Sequence, residues 1–170
     1  ATDPETGEFL YTEDDLNVIN YNDVGTAMLQ DHVFANAEWL AENEETAIAF
    51  LKATFRGWAY CRDNFDECVE IVLENGPTLG EGHMRWMLNE INALVWPSPA
   101  GVGVMDADLW QQTVDVSLEA GIIAEAPAES AYRSDLAEAA VAALMEEYPD
   151  LDLMGEDFET IDVEITPGGE

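Results

Sequence analysis

Positive charge is nearly absent from this chain: five Lys and Arg residues stand against 37 Asp and Glu, and Lys52 is the only lysine. Binding a nucleic acid means neutralising its phosphates with cations, so a formal net charge of -32 excludes nucleic acid as a partner. An anionic membrane surface is disfavoured for the same reason. Cysteine is also scarce, with only Cys61 and Cys68, and no CxxC cluster exists to hold zinc. His32 and His83 are far apart in sequence, and neither has a second ligand at the spacing of a metal-binding helix. No stretch approaches the roughly 20 apolar residues of a membrane span. Ala1 to Leu10 lacks the basic and apolar regions of a signal peptide, and a mature or trimmed product would look like this. Ser98, Ser117, Ser130 and Ser134 lie outside any G-x-S-x-G context, and no glycine-rich phosphate loop follows a strand. These absences leave no catalytic residue, metal or cofactor to expect.

Hydrophobic residues, at 48% of 170, are enough for one domain with a real core. The acidic residues are spread through amphipathic segments rather than gathered in a tail. We expect a protein of a high-salt organism, where screening weakens self-repulsion and carboxylates hold the hydration shell. An ordinary acidic secreted protein is the alternative.

The most ordered signal runs from Asn43 to Glu74. Asn43 reads as an N-cap, followed by Glu44 and Glu45 where first-turn N–H groups favour negative charge. Ala47, Phe50, Leu51, Thr54, Trp58 and Cys61 then form an apolar stripe, widened by Ile48, Phe55 and Ala59. Asn64 reads as a second cap, with Glu67 placed to reach back to it before Cys68, Val69, Val72 and Leu73 take up the next stripe. Cys61 and Cys68 flank the corner between the helices, where a disulfide fits and would suit an oxidising compartment. Two buried free thiols fit equally well.

Elsewhere the pattern predicts helices over Glu81 to Val95, from Asp106 or Asp108 to a left-handed terminator at Gly121 closed by Ile122, and from Asp135 to Tyr148. Trp58, Trp86 and Trp110 fall in helical stripes and read as core. Leu16 to Tyr21 alternates as a half-buried strand should, and Met28 to Ala35 reads as a second extended run. Thr160 to Thr166 also alternates, as an edge strand or as disordered chain. The organisation expected is an acidic arm with a strand and hinge crossover over 1–35, a helical body over 36–148 and an acidic tail over 149–170.

The Asn-Glu-Glu, AFLKATFRGWAYC and Asn-Phe-Asp-Glu-Cys-Val sequences resemble the signature of the NMT1/THI5-like (thiamine-pyrimidine precursor) substrate-binding proteins of ABC importers. Glu44 and Phe65 stand where the family usually has Pro, and Cys61 and Cys68 where it usually has small residues. HMRWMLNEINALVW and DADLWQQTVDVSLEAGII continue the likeness. The resemblance implies a helix-dominated α/β chain, the C-terminal part of a type II periplasmic-binding-protein-like fold, with about five helices and two or three short strands. It implies a small-molecule ligand such as a thiamine-precursor pyrimidine, ABC permease partners in the membrane, and export as a periplasmic or cell-surface lipoprotein.

By that resemblance the chain passes the hinge near Tyr21. The Tyr21 ring is suited to stack on a planar ligand, with Asn22 and Asp23 accepting hydrogen bonds from an exocyclic amine. The bland reading is a tight turn between strands. Trp39 and Trp96, near helix ends, are candidate aromatic lids. Two other function classes stay open: a THI5-like pyrimidine-synthesising enzyme, which would need reactive Cys and His beside the ligand, and an acidic helical scaffold with no ligand.

Overall fold

In the computed structural model the chain is described over residues 3–8, 10–11, 15–164 and 166. Among these residues it forms six α-helices and no β-strand. They are α1 (Ala37–Glu42), α2 (Glu44–Asp63), α3 (Phe65–Asn75), α4 (Glu81–Val95), α5 (Ala107–Glu119) and α6 (Asp135–Glu147).

The expected α/β class is therefore corrected to all-helical, for a physical reason. A strand needs a neighbour to take its backbone N–H and C=O groups. Leu16 to Tyr21 has none, and Leu16, Val18, Ile19 and Tyr21 are all more than half exposed. In the second extended run the Leu29 N–H donates to Thr113 Oγ1 at 2.9 Å, and just before it Gln112 Nε2 donates to the Ala27 carbonyl at 2.7 Å. Side chains of α5 thus do the work of a ladder. The described part of Thr160 to Thr166 forms no strand either, and Ile165 lies outside the described residues.

The chain divides into two units. The first comprises Ala1–Phe34 with Met105–Tyr132, and the second Ala35–Val104 with Arg133–Glu170. The first unit is built around α5. Asp106 caps it, its carboxylate accepting the N–H groups of Asp108 and Leu109. Gly121, at φ 69°, ends the helix: its N–H donates to the Leu118 carbonyl while that of Ile122 reaches Ser117, a Schellman closure. The Ile122 side chain does not fold over the end, being 67% exposed. Val114 is the unit's one buried apolar residue among those described. Trp110 and Tyr132 pack ring to ring at 4.8 Å.

The second unit holds the main core. α2 packs on α6, with Phe55 and Ala59 meeting Ala137, Ala140, Val141 and Leu144. Ala59 and Ala140 are fully buried, so small side chains at the crossing let the two backbones approach. Trp96, Val102 and Leu153 complete the cluster from segments outside the helices. Those segments are joined by Ser98 N–H to the Met154 carbonyl and Val102 N–H to that of Leu153. Residues 149–158, expected in an acidic tail, thus supply core through Leu153, with Leu151, Met154 and Phe158 packed against it.

Asn43 and Asn64 use the other end of their amides than the one expected. Neither side chain caps the helix that follows it. Instead Asn43 Nδ2 donates to the Trp39 carbonyl and Asn64 Nδ2 to that of Tyr60, each closing the helix before it, and Asn75 does the same to Ile71. A side-chain amide carries donors as well as an acceptor, and here the C-terminal carbonyls claim the donors. Asn36 is the cap that the sequence reading missed; its Oδ1 accepts from Glu38 and Trp39 and opens the unforeseen α1.

Candidate functional site

Where α2 ends, the apolar stripe through Phe55 and Ala59 continues one turn further into Arg62. Its side chain is only 6% exposed. The guanidinium lies over the Trp96 ring at 4.5 Å and is held by Asp63, which accepts from Nε at 2.7 Å and from Nη2 at 3.1 Å. Nη1 is 3.2 Å from Asp152 Oδ2, within ion-pair distance but without hydrogen-bond geometry, and has no other partner. Gly155, at φ 63°, allows the chain to run this close: a Cβ there would lie 2.6 Å from the Trp96 ring and 3.0 Å from Arg62 Nη1.

α4 supplies the opposite wall. The sequence stripe of Met84, Met87, Leu88, Ile91, Leu94 and Val95 suggested an apolar inner face. The helix is instead turned so that Asn89 and Asn92 are buried, at 8% and 1% exposed, while Leu94 is 81% exposed. Asn89 Oδ1 accepts the Ile161 N–H at 3.0 Å. Asn92 Oδ1 and Trp96 Nε1 are buried without a partner. Such orphans are rare in folded proteins, because an unpaired buried polar atom costs about 1–3 kcal/mol.

Arg62, Asn89 and Asn92 border a cleft of about 290 Å³, closed on its apolar sides by Phe65 and Phe158. Four carboxylates, Asp63, Asp152, Asp157 and Glu159, line it as well, against the single guanidinium. Burial pushes the Asp152 carboxyl up, but the Gly155 and Met154 amides and the Arg62 charge together outweigh it and hold the group below the usual carboxylate range. Oδ1 of Asp152 accepts both amides, from Met154 at 2.9 Å and Gly155 at 2.8 Å.

A second cleft, of about 500 Å³, lies between α2 and the end of α6. Most of its polar side chains are engaged. Arg56 stacks on Tyr148 at 4.6 Å and donates to its hydroxyl, Lys52 pairs with Glu147, and Asn64 is bonded to Tyr60. The Tyr60 phenol is raised above its ordinary value, first because Glu67 accepts its hydrogen bond. Though larger, this cleft has no orphaned atom to satisfy, so the smaller one is the better candidate.

The residues singled out from sequence fall in both units. Tyr21, Asn22 and Asp23 form an exposed turn of the first unit, closed by Asp23 N–H to Asn20 O, Gly25 N–H to Asn22 O and Thr26 N–H to Tyr21 O. Asn22 also spends its backbone and side-chain donors on Asn20 Oδ1. Trp39 stands on α1 at 45% exposure. Trp96 is 3% exposed, a core residue backing Arg62 rather than a lid, whereas Trp86, expected in the core, is 39% exposed. Cys61 and Cys68 are joined in a disulfide, Cα to Cα 5.1 Å, across the corner between α2 and α3. Among the described residues no group of three or more His, Cys, Asp or Glu could hold a metal ion, and no helix is long and apolar enough to cross a membrane.

Arg62, Asn89 and Asn92 were not foreseen. A signal was present: one of only five cations falls in register with an apolar stripe, and two asparagines three residues apart interrupt another.

Residues 5–68, running from the N-terminal arm through α1 and α2 to the start of α3, match the family model described as NMT1/THI5 like. The chain thus carries a segment similar to the NMT1/THI5-like family, the same family that its helix pair resembles. The comparisons with curated proteins and with solved structures return no match.

Proposed function

We propose that this protein is the substrate-binding component of an ABC importer for a small nitrogenous ring compound such as a thiamine-precursor pyrimidine. The observation that carries the reading is the NMT1/THI5-like match over residues 5–68. The cleft of the second unit supports it, since it offers aromatic walls and unspent polar atoms and no nucleophile with an adjacent base. Binding would therefore be reversible, with ABC permease subunits as the partner that receives the ligand. Export to the periplasm or the cell surface is part of the proposal and is supported by the Cys61–Cys68 disulfide. Life at high salt is supported by the charge of -32. The THI5-like synthase reading is placed second, because both cysteines are committed to each other rather than free to react.

Thermal melting of the chain with a pyrimidine, thiamine, a riboflavin-like compound, a sulfonate and nitrate tests the proposal. A true ligand at a hundred times its Kd stabilises by about 2.7 kcal/mol. A rise in Tm with the pyrimidine is expected, and no rise with any of the five would overturn the reading.

A further inference from the structure

Two buried atoms, on residues that border one cleft, make no hydrogen bond; Arg62 Nη1 has only the Asp152 carboxylate at 3.2 Å beside it. Arg62 Nη1 is a donor and Asn92 Oδ1 an acceptor, and both residues border the same 290 Å³ space. Neighbouring Asn89 displays the recognition that this wall favours, since its Oδ1 accepts a backbone amide, the N–H of Ile161. Asn92 lies one turn further along α4 with the same group unspent.

We propose that this cleft binds a small, uncharged, planar lactam or amide, whose N–H donates to Asn92 Oδ1 and whose carbonyl accepts from Arg62 Nη1. Phe65 and Phe158 supply the apolar sides against which its faces rest. Anions are rejected, because Asp63 and Asp152 already pair with the one guanidinium, and Asp157 and Glu159 add further negative charge to the cleft lining. Both orphaned atoms are closed off from solvent. Asp157, Phe158, Glu159 and Ile161 line the same cleft, and this segment is tied to α4 through the Ile161 N–H bond to Asn89, so in the proposal the ligand gains the two atoms as this segment shifts. The inference deepens the proposed function by naming a ligand class and a place. It rests on that reading only for the transport context.

The experiment is a backbone and side-chain amide NMR titration of the whole chain with 2-pyridone, with benzoate as the anionic counterpart. Saturable shifts at the Asn92 side-chain amide and the Ile161 N–H are expected with 2-pyridone and not with benzoate. In Asn92→Leu the affinity falls at least about tenfold, while Tm stays level or rises because a buried orphan has been removed. If Asn92→Leu does not fold, the map on the wild-type chain decides alone. Shifts confined to another region, equal binding of benzoate, or undiminished binding by Asn92→Leu overturns the inference while leaving transport of another compound standing. No saturable response to 2-pyridone overturns it too, and the melting series with the other compounds then decides the proposed function separately.

Discussion

All five basic residues lie in the second unit, and each is engaged there: Lys52 with Glu147, Arg56 with Tyr148, Arg62 with Asp63, Arg85 with Asp66, and Arg133 with Glu44 and Asp135. The first unit has no Lys or Arg at all, yet carries Asp3, Glu5, Asp23, Asp31, Asp106 and Asp115 among its acids. Burial divides the same way. The core cluster belongs wholly to the second unit, while the first exposes Leu16, Val18, Ile19, Tyr21 and Phe34. One body of this acidic chain is thus held by packing and scarce, well-placed cations, and the other by capping and side-chain bonds.

The largest effect that would break this comparison is a core deletion. Leu144→Ala, at a site 1% exposed, is expected to cost about 2–5 kcal/mol in denaturant unfolding, while Ile19→Ala in the first unit stays within about 0.5 kcal/mol. Comparable losses would mean that the first unit has a core after all. Glycines sharpen the contrast. Gly103, at φ 80°, has the Phe55 ring where a Cβ would go, whereas Gly121, at φ 69°, has nothing within 4 Å. Gly103→Ala should cost about 3 kcal/mol, strain and overpacking together, and Gly121→Ala about 1 kcal/mol.

Caps come next. Asp106→Ala removes two accepted N–H bonds from α5 and should cost about 1 kcal/mol, whereas Ser134→Ala before α6 removes no side-chain cap and should change little. The smallest effect is a pH dependence. The Asp152 carboxyl is held below its ordinary value, so the stability it adds is present above about pH 3.9 and is lost as pH falls through the depressed value. Half-exposed, it contributes under about 1 kcal/mol. Asp152→Asn should lower Tm at neutral pH and match the wild type in strong acid; a constant difference across pH would deny that the Gly155 and Met154 amides and Arg62 hold this carboxyl ionised.

Much of the second unit was legible: the bounds of α4 were read as found and the α6 reading ran one residue long. In the first unit Gly121 was recognised because only a left-handed residue ends a helix in that way. The strands were misread since alternation reports a half-buried surface only when a partner strand exists, and none does among the described residues. The face of α4 was misread because stripe counting follows apolar residues, while Asn89 is held inward by the Ile161 N–H and Asn92, one turn on, is buried on the same side. Long-range partners of this kind leave no trace in local spacing.

Native-state hydrogen exchange at about 0.1 M and about 3 M KCl compares the two units most directly. Protection at Phe55 to Ala59 and Ala140 to Leu144 should be high at both concentrations. At Val114 and Ser117 it should be low in dilute salt and rise about tenfold or more in concentrated salt. Equal protection of both units in dilute salt, or an equal response to KCl, would contradict the account.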